Sequence, residues 1–245
     1  MSKITLLTGG TAGIGRAIAL KILKESRSSD HLIVVYGHDE QAAEKLRRDA
    51  PVDLRRNLHL IRSDLSRFES LGDLTREVKE ITEKIDWLIL NAGVTSKIPF
   101  DQIGCEEWER VMRTNVSVPA MLVRDMKPLM AEGGSILFLG SLAGKVPYSS
   151  SAVYGVSKAA VLFLARALVK EFEHKRVTVN SVAPGFIETG WQDGRTEESR
   201  GLIEQKIAAH RFGTPEEVAE LCCFILSNPY LNGSVYEIHG GYGYF

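Results

Sequence analysis

Ile4-Thr5-Leu6-Leu7-Thr8-Gly9-Gly10-Thr11-Ala12-Gly13-Ile14-Gly15 is a short apolar run that breaks into a glycine-rich turn, and Arg16 to Lys24 follows with a helical pattern. A strand, a glycine turn and a helix in that order form a phosphate cradle when the glycines let the backbone approach a diphosphate at the helix N-terminus. The spacing, Gly9 then Gly13 and Gly15, is not the G-x-G-x-x-G of the common dinucleotide fingerprint. A plain glycine turn is the alternative reading of these residues alone.

Working outward, Leu32 to Tyr36 reads as a second strand, Glu40 to Arg48 as a polar helix and Leu58 to Arg62 as a third strand. Trp87 to Leu90 reads as a fourth, Ser135 to Leu139 as a fifth and Thr178 to Ala183 as a sixth. Strands alternating with helices predict a parallel sheet wound by right-handed crossovers, and ligands of such sheets sit at the C-terminal strand ends. Those ends carry Gly37-His38, Asp64, Asn91-Ala92-Gly93 and Pro184-Gly185. Each has a bland alternative: Asp64 as a cap for a helix starting near Ser66, the others as turns. Their recurrence at one edge of the sheet is what carries weight. Glu106 to Met130 reads as one or two helices, with Pro119 and Pro128 as breaks. Asn115 in their middle is unfavourable unless its side chain has a task, satisfying a backbone group being one such task.

The stretch after the fifth strand, Ser141 to Lys158, ends in Tyr154-Gly155-Val156-Ser157-Lys158 and leads into the helical pattern of Ala159 to Val169. If the turn at Tyr154 is already helical, Lys158 lies on the same face, four residues on. A phenol with a pKa of about 10 is a poor acid-base group near neutrality. An ammonium about 4 Å away at an effective dielectric near 20 is worth roughly 4 kcal/mol, or about three pK units. Ser141 then donates a hydrogen bond to an oxygen gaining negative charge while Tyr154 delivers a proton.

Composition narrows the classes. With 245 residues, 44% hydrophobic and 25% charged, the chain is long enough for one large α/β domain. A net charge of -1 argues against nucleic-acid and anionic-membrane partners. No apolar run reaches about 18 residues, and a first strand at Ile4 leaves no room for a signal peptide. Cys105, Cys222 and Cys223 show neither metal-type spacing nor a disulfide framework. The expectations are a cytoplasmic setting and no metal.

The ordered set Thr8-Gly9-x-x-x-Gly13-x-Gly15, Asp64, Asn91-Ala92-Gly93, Asn115, Ser141, Tyr154-x-x-x-Lys158, Pro184-Gly185 and Thr189 resembles a classical short-chain dehydrogenase/reductase over essentially the whole chain. Its pattern is nearest to the 3-oxoacyl-carrier-protein reductase branch. The resemblance implies a doubly wound Rossmann fold with seven parallel strands in a single domain, 1-245, with a substrate lid at about 186-211. It implies that Asn115, Ser141, Tyr154 and Lys158 form a catalytic tetrad. In it Tyr154 is the general acid in reduction, Ser141 orients the carbonyl, Lys158 lowers the Tyr154 pKa, and Asn115 holds a water that feeds Lys158. By the same resemblance Gly9, Thr11, Gly13, Ile14 and Gly15 receive the dinucleotide phosphates, Gly37 and His38 face the adenosine ribose, and Asp64 and Leu65 face the adenine. Asn91, Ala92 and Gly93 line the adenosine side. Tyr154 and Lys158 reach the nicotinamide ribose, and Pro184, Gly185, Ile187 and Thr189 the nicotinamide end.

The expected activity is hydride transfer between NADP(H) and a carbonyl or secondary alcohol, a 3-oxoacyl thioester among the candidates. NADP is favoured because no carboxylate follows the second strand at Gly37 and His38 stands where many NADP-dependent relatives carry arginine. Ala12, Asp39 and Glu40 count the other way and keep NAD(H) open. The alternatives are an NAD-linked dehydrogenase of a secondary alcohol or polyol, and a non-catalytic dinucleotide-binding regulator, which intact Ser141, Tyr154 and Lys158 disfavour. Phe186 to Arg211 has the composition of a mobile lid, in which Phe186, Trp191 and Gln192 are candidates to touch substrate, Trp191 equally an apolar anchor that closes the lid. Thr214 followed by Pro215 reads as a helix entry. His239 and Leu90 depart from the family pattern, which usually has aspartate and asparagine there. Tyr242, Tyr244 and Phe245 put three aromatics at the C-terminus, expected to bury against another subunit of a homo-oligomer, dimer or tetramer, or against their own.

Overall fold

The computed structural model describes residues 2–147 and 151–243. Strand β1 (Ile4–Thr8) is buried at every position. It is joined by β2 (His31–Tyr36), β3 (Leu58–Arg62), β4 (Ile85–Leu90), β5 (Met130–Leu139), β6 (Thr178–Pro184) and β7 (Val235–Ile238). All pair in parallel, in the order β3-β2-β1-β4-β5-β6-β7. The winding reverses at β1, so the chain leaves a crevice beyond the C-terminal ends of β1 and β4, the place where open α/β sheets bind ligands.

Two apolar layers hold helices on the two faces. On one face Leu6, Ile33, Val35, Leu88, Ile136 and Phe138 pack beneath α3 (Ser70–Ile81), α5 (Val118–Met126) and α6 (Ala152–Ala167). On the other, Leu7, Leu32, Val34, Ile89 and Leu137 pack beneath α1 (Gly13–Glu25), α2 (Glu40–Asp49) and α9 (Pro215–Ser227). Strands covered on both faces read as unbroken apolar runs rather than as alternation, which is why their spans are visible in the sequence.

Several boundaries differ from the sequence reading. Helix α3 starts at Ser70, not near Ser66. The Asp64 carboxylate instead accepts the backbone N–H of Ser66 at 3.0 Å and its hydroxyl at 2.7 Å, closing a local turn that delays the helix. The segment expected to be helical through Met130 divides into α4 (Cys105–Met112), a π-turn (Arg113–Ser117), α5 and a 3-10 turn (Lys127–Leu129). Pro119 causes no break. It lies in the first turn of α5, where its missing N–H leaves nothing unpaired. Met130 belongs to β5 and pairs with Ile85, after which the register shifts before Trp87. Helix α6 begins at Ala152, earlier than Ala159, so Tyr154 is already helical.

Thr214 opens α9 with a reciprocal capping box: its hydroxyl accepts the Glu217 N–H at 3.2 Å, and the Glu217 carboxylate accepts the Thr214 N–H at 2.8 Å. Asn180 is structural, as its position inside β6 suggests. Its amide donates to Leu231 O at 2.7 Å and its carbonyl accepts from Ser234 N at 3.1 Å, fixing the approach to β7. After β6 the chain forms a 3-10 turn (Gly190–Gln192) and α8 (Glu197–Glu204), with α7 (Val169–Phe172) preceding β6. Among the described residues no single helix is long and apolar enough to cross a membrane. At the C-terminus, Tyr242 packs on Phe186 of the same chain, ring centroids 5.3 Å apart. Tyr244 and Phe245 lie outside the described residues.

Candidate active site

The glycine turn forms the floor of the crevice. Gly9 has a φ of +65°, a conformation that side chains resist, and a Cβ there would stand 2.9 Å from Ala92 Cα. A Cβ on Gly15 would collide with the Gly9 carbonyl oxygen and the Asn91 amide. These glycines therefore let the β1 turn, the start of α1 and the β4 end close on one another. Thr8 and Asn91 lock that closure. The Thr8 hydroxyl accepts from Asn91 N at 3.0 Å and Ala92 N at 3.1 Å, and the Asn91 amide donates to Gly9 O at 2.9 Å. In the sequence Thr8 opens the glycine motif, with no role of its own assigned to it.

Helix α1 has Ala12 at its N-cap with no side-chain acceptor and no acidic residue in its first turn. Its N-terminal N–H groups and positive dipole end are thus left to an anion. Where a Cβ would fill the cradle, glycine stands. The residues present fit the diphosphate of a dinucleotide.

A cleft of about 370 Å³ rises from this floor. Of the residues picked out in the sequence, it brings together Gly9, Gly13, Ile14, Gly15, Asn91, Ala92, Gly93, Ser141, Tyr154, Lys158, Pro184, Gly185, Ile187 and Thr189. Thr11, Gly37, His38, Asp64, Leu65 and Asn115 do not line it. Thr11 is buried, and Leu65 packs against the core beneath α3. Gly37 and His38 are exposed at the end of β2. The Asp64 carboxylate is held below its ordinary range, chiefly by the Ser66 hydroxyl and N–H, with the His38 charge adding to the effect. Trp191 and Gln192 of the expected lid line it too, as do Leu139 and Gly140, although nothing in the types of the last two marks them in a sequence.

Helix α6 delivers Tyr154 and Lys158 to the cleft wall. The Lys158 Nζ lies 5.8 Å from the centroid of the Tyr154 ring and donates to Leu139 O at 2.7 Å. Only 4% of Lys158 is exposed, and burial pulls its pKa down from 10.5 to about 8. At pH 7 about nine-tenths of the side chain is still the ammonium. Ser141 sits at the end of β5, buried, and its Oγ accepts from Ala143 N at 3.1 Å. That leaves the hydroxyl proton for another acceptor.

Asn115 is placed by the π-turn between α4 and α5, a single wide turn of a kind frequent at functional sites. Its carbonyl accepts from Val94 N at 2.8 Å, and its amide donates to Val94 O at 2.8 Å and to Ser157 Oγ at 2.9 Å. It thus does satisfy backbone groups, tying the β4 loop to α6. A Cβ on Gly93 would lie 3.2 Å from Asn115 Oδ1 and 3.3 Å from Lys158 Nζ, so the two side chains flank the same glycine.

Trp191 tilts over Tyr154, ring centroids 5.4 Å apart. A second cavity of about 390 Å³ adjoins the first and shares Ser141, Tyr154, Gly185, Trp191 and Gln192 with it.

A dinucleotide cradle at the switch point of a parallel sheet, joined to a buried Ser and Lys and a half-buried Tyr, defines a nicotinamide-dependent oxidoreductase. Known proteins bear this out. Residues 9–243 match the family described as Enoyl-(Acyl carrier protein) reductase. The 3-oxoacyl-[acyl-carrier-protein] reductase FabG of Aquifex aeolicus is 30% identical over 243 residues, 98% of this chain and 96% of that protein. Carbonyl reductase family member 4 of Xenopus laevis is 30% identical over 243 residues, 98% of each chain. The solved Pseudomonas aeruginosa RhlG/NADP active-site complex superposes with a TM-score of 0.87 at 26% identity, covering 98% of this chain and 95% of that one. The chain belongs to the short-chain dehydrogenase/reductase family and is an NAD(P)-dependent enzyme acting on alcohol and carbonyl groups.

Proposed function

We propose that this protein is an NADPH-preferring carbonyl reductase, working as one dinucleotide-binding domain with residues 186-211 as its substrate lid. The observation that carries this is the sharing of Ser141 and Tyr154 by the two cavities: the same hydroxyl and phenol face the cofactor cleft and the adjoining pocket. When bound, the reduced nicotinamide supplies the hydride. The Ser141 hydroxyl donates to the carbonyl oxygen as negative charge grows there, and the Tyr154 phenol delivers the proton to that oxygen. The Lys158 ammonium stabilises the phenolate that remains. Asn115 holds the Val94 backbone against α6, keeping Gly93 beside Lys158.

The preference for NADPH rests on the carboxylates near Gly37. Asp39 caps α2, accepting Ala42 N at 2.8 Å, and Glu40 pairs with Arg62 at 2.7 Å. Both acids that favoured NAD in the sequence are occupied, which leaves the His38 imidazole as the group nearest a 2′-phosphate in sequence. A 3-oxoacyl thioester is the first substrate to try, given the relatives above.

Initial rates with NADPH and NADH against an acetoacetyl thioester and a few unrelated ketones test the reading. Tyr154→Phe should keep cofactor binding and turn over at least about 100-fold more slowly. Equal turnover by that variant would remove the phenol from the chemistry.

A further inference from the structure

The lid carries three arginines whose situations differ. Arg200 pairs with Glu188, and Arg211 pairs with Glu217 at 2.9 Å. Arg195 has no carboxylate within ion-pair distance among the described residues, yet its guanidinium is fixed in place. Its Nε donates to Gln192 Oε1 at 2.7 Å, while Gln192 Nε2 donates to Ile187 O at 3.2 Å. Its Cζ lies 5.5 Å from the Phe186 ring centroid, and Nη1 makes a long bond of 3.5 Å to Ser199 Oγ. Nη2 has no partner among the described residues. A guanidinium held by stacking and one polar anchor, with part of its donor fork unused, is preorganised for an oxyanion.

Arg195 lines the second cavity, the one that Ser141 and Tyr154 share with the cofactor cleft. Lys97, from the loop after β4, supplies a second cation to the same cavity and has no ion-pair partner among the described residues. The one carboxylate among the described lining residues is Asp193, whose Oδ2 lies 3.4 Å from where a Cβ on Gly190 would stand, on its own turn. Two cations from separate loops against one carboxylate give the cavity a net positive lining. Phe186 and Trp191 add aromatic wall.

We propose that the substrate is a small carbonyl compound bearing an anionic group, a carboxylate or a phosphate, which Arg195 and Lys97 receive while the carbonyl faces Ser141 and Tyr154. This rests on the carbonyl-reducing reading above. Arg195 and Lys97 are both exposed, so they favour an anionic substrate over a neutral analogue of the same shape through charge and charge-assisted hydrogen bonds.

The test compares matched ketones: levulinate, its methyl ester and its phosphonate analogue, and acetoacetate with methyl acetoacetate, each with NADPH and NADH. The wild-type enzyme should favour an anionic member over its ester in kcat/KM. That ratio should drop about tenfold to a hundredfold in Arg195→Gln and in Lys97→Gln, the scale of one hydrogen bond to a charged group. Arg195→Lys, which keeps the charge, should recover part of it, and carboxylate against phosphonate tells which anion the site takes. Esters reduced as well as the acids, or a ratio unchanged in all three variants, would overturn the inference and leave the reductase standing. If no ketone reacts, the reductase reading is what fails. The anion site is then measured by the effect of inorganic phosphate on the melting temperature of the NADPH-saturated protein. Stabilisation of wild type that is absent in Arg195→Gln supports the site, and an equal effect on both rejects it.

Discussion

Replacing Lys158 by methionine removes a buried ammonium while keeping the length of the side chain, and its effect on stability should depend on pH in a calculable way. In the fold the group's pKa is about 8 against an ordinary 10.5, because burial penalises the charge. Between those two values the unfolded chain binds the proton more tightly than the folded one. Lys158 therefore destabilises the fold most below pH 8, and that penalty is relieved as pH rises from about 8 to 10.5. The relief amounts to about 1.4 kcal/mol by pH 9 and about 2.6 kcal/mol by pH 10. At neutral pH the variant gains by losing the buried charge but loses the hydrogen bond to Leu139 O, a charged bond worth about 1.5–3 kcal/mol, so the two effects nearly cancel there. The trend with pH is the clean measurement. Urea unfolding of both proteins without cofactor at pH 7.5, 9 and 10 should show the difference moving in favour of wild type by about 2 to 3 kcal/mol. A difference that stays flat over this range would refute the assignment of a buried, depressed Lys158. The same deprotonation should give kcat/KM for carbonyl reduction a falling limb near pH 8, absent from the binding of cofactor alone.

Three further outcomes follow from the geometry. Gly15→Ala would place a methyl against the Gly9 carbonyl and the Asn91 amide, and should abolish dinucleotide binding, read by fluorescence titration of NADPH, before it abolishes folding. Asn115→Ala removes three hydrogen bonds, one buried and two part-buried, at a residue 2% exposed and should cost about 2–4 kcal/mol of stability in a denaturant melt; a loss under about 0.5 kcal/mol would mean that Val94 is held by something else. His59 is kept neutral by burial, with His31 and Arg47 adding to the effect. Its folded pKa lies below the ordinary value of 6.5, so its contribution is present above that pH and is lost as pH falls through the folded value. The urea midpoint of wild type should drop between pH 7 and pH 5, and drop less in His59→Asn.

The parts of the fold that could be read from the sequence are those where one physical signal dominates. Strands buried on both faces have no competing pattern, and β1 and β3 have the bounds read for them. The start of α9 is written out in Thr214 and Pro215. Misreadings arose where tertiary contacts decide. The fifth strand reads only from Ser135 in the sequence, yet β5 begins at Met130, and its pairing with β4 shifts register between Ile85 and Trp87. Asp64 looks like a helix cap, yet its carboxylate is satisfied by Ser66 two residues on. In the site, Ser141, Tyr154 and Lys158 were legible because the chemistry needs those types. Leu139 and Gly140 were not, since an aliphatic side chain or a bare backbone acquires a place in a site only from what the fold sets beside it.

The π-turn at Arg113–Ser117 imposes a constraint on length rather than on residue type. A π-turn holds one residue more than the α-turn it replaces, and each residue of an α-helix advances by about 100°. A chain that lost one residue here would gain a continuous helix from Cys105 to Met126, with better local hydrogen bonding. It would also rotate everything on one side of the deletion by that angle, swinging the residue at position 115 away from Val94 and Ser157 or unseating the apolar face of α5. A natural deletion at this turn would thus be expected to be far more damaging than most single substitutions within it, although it would repair the helix.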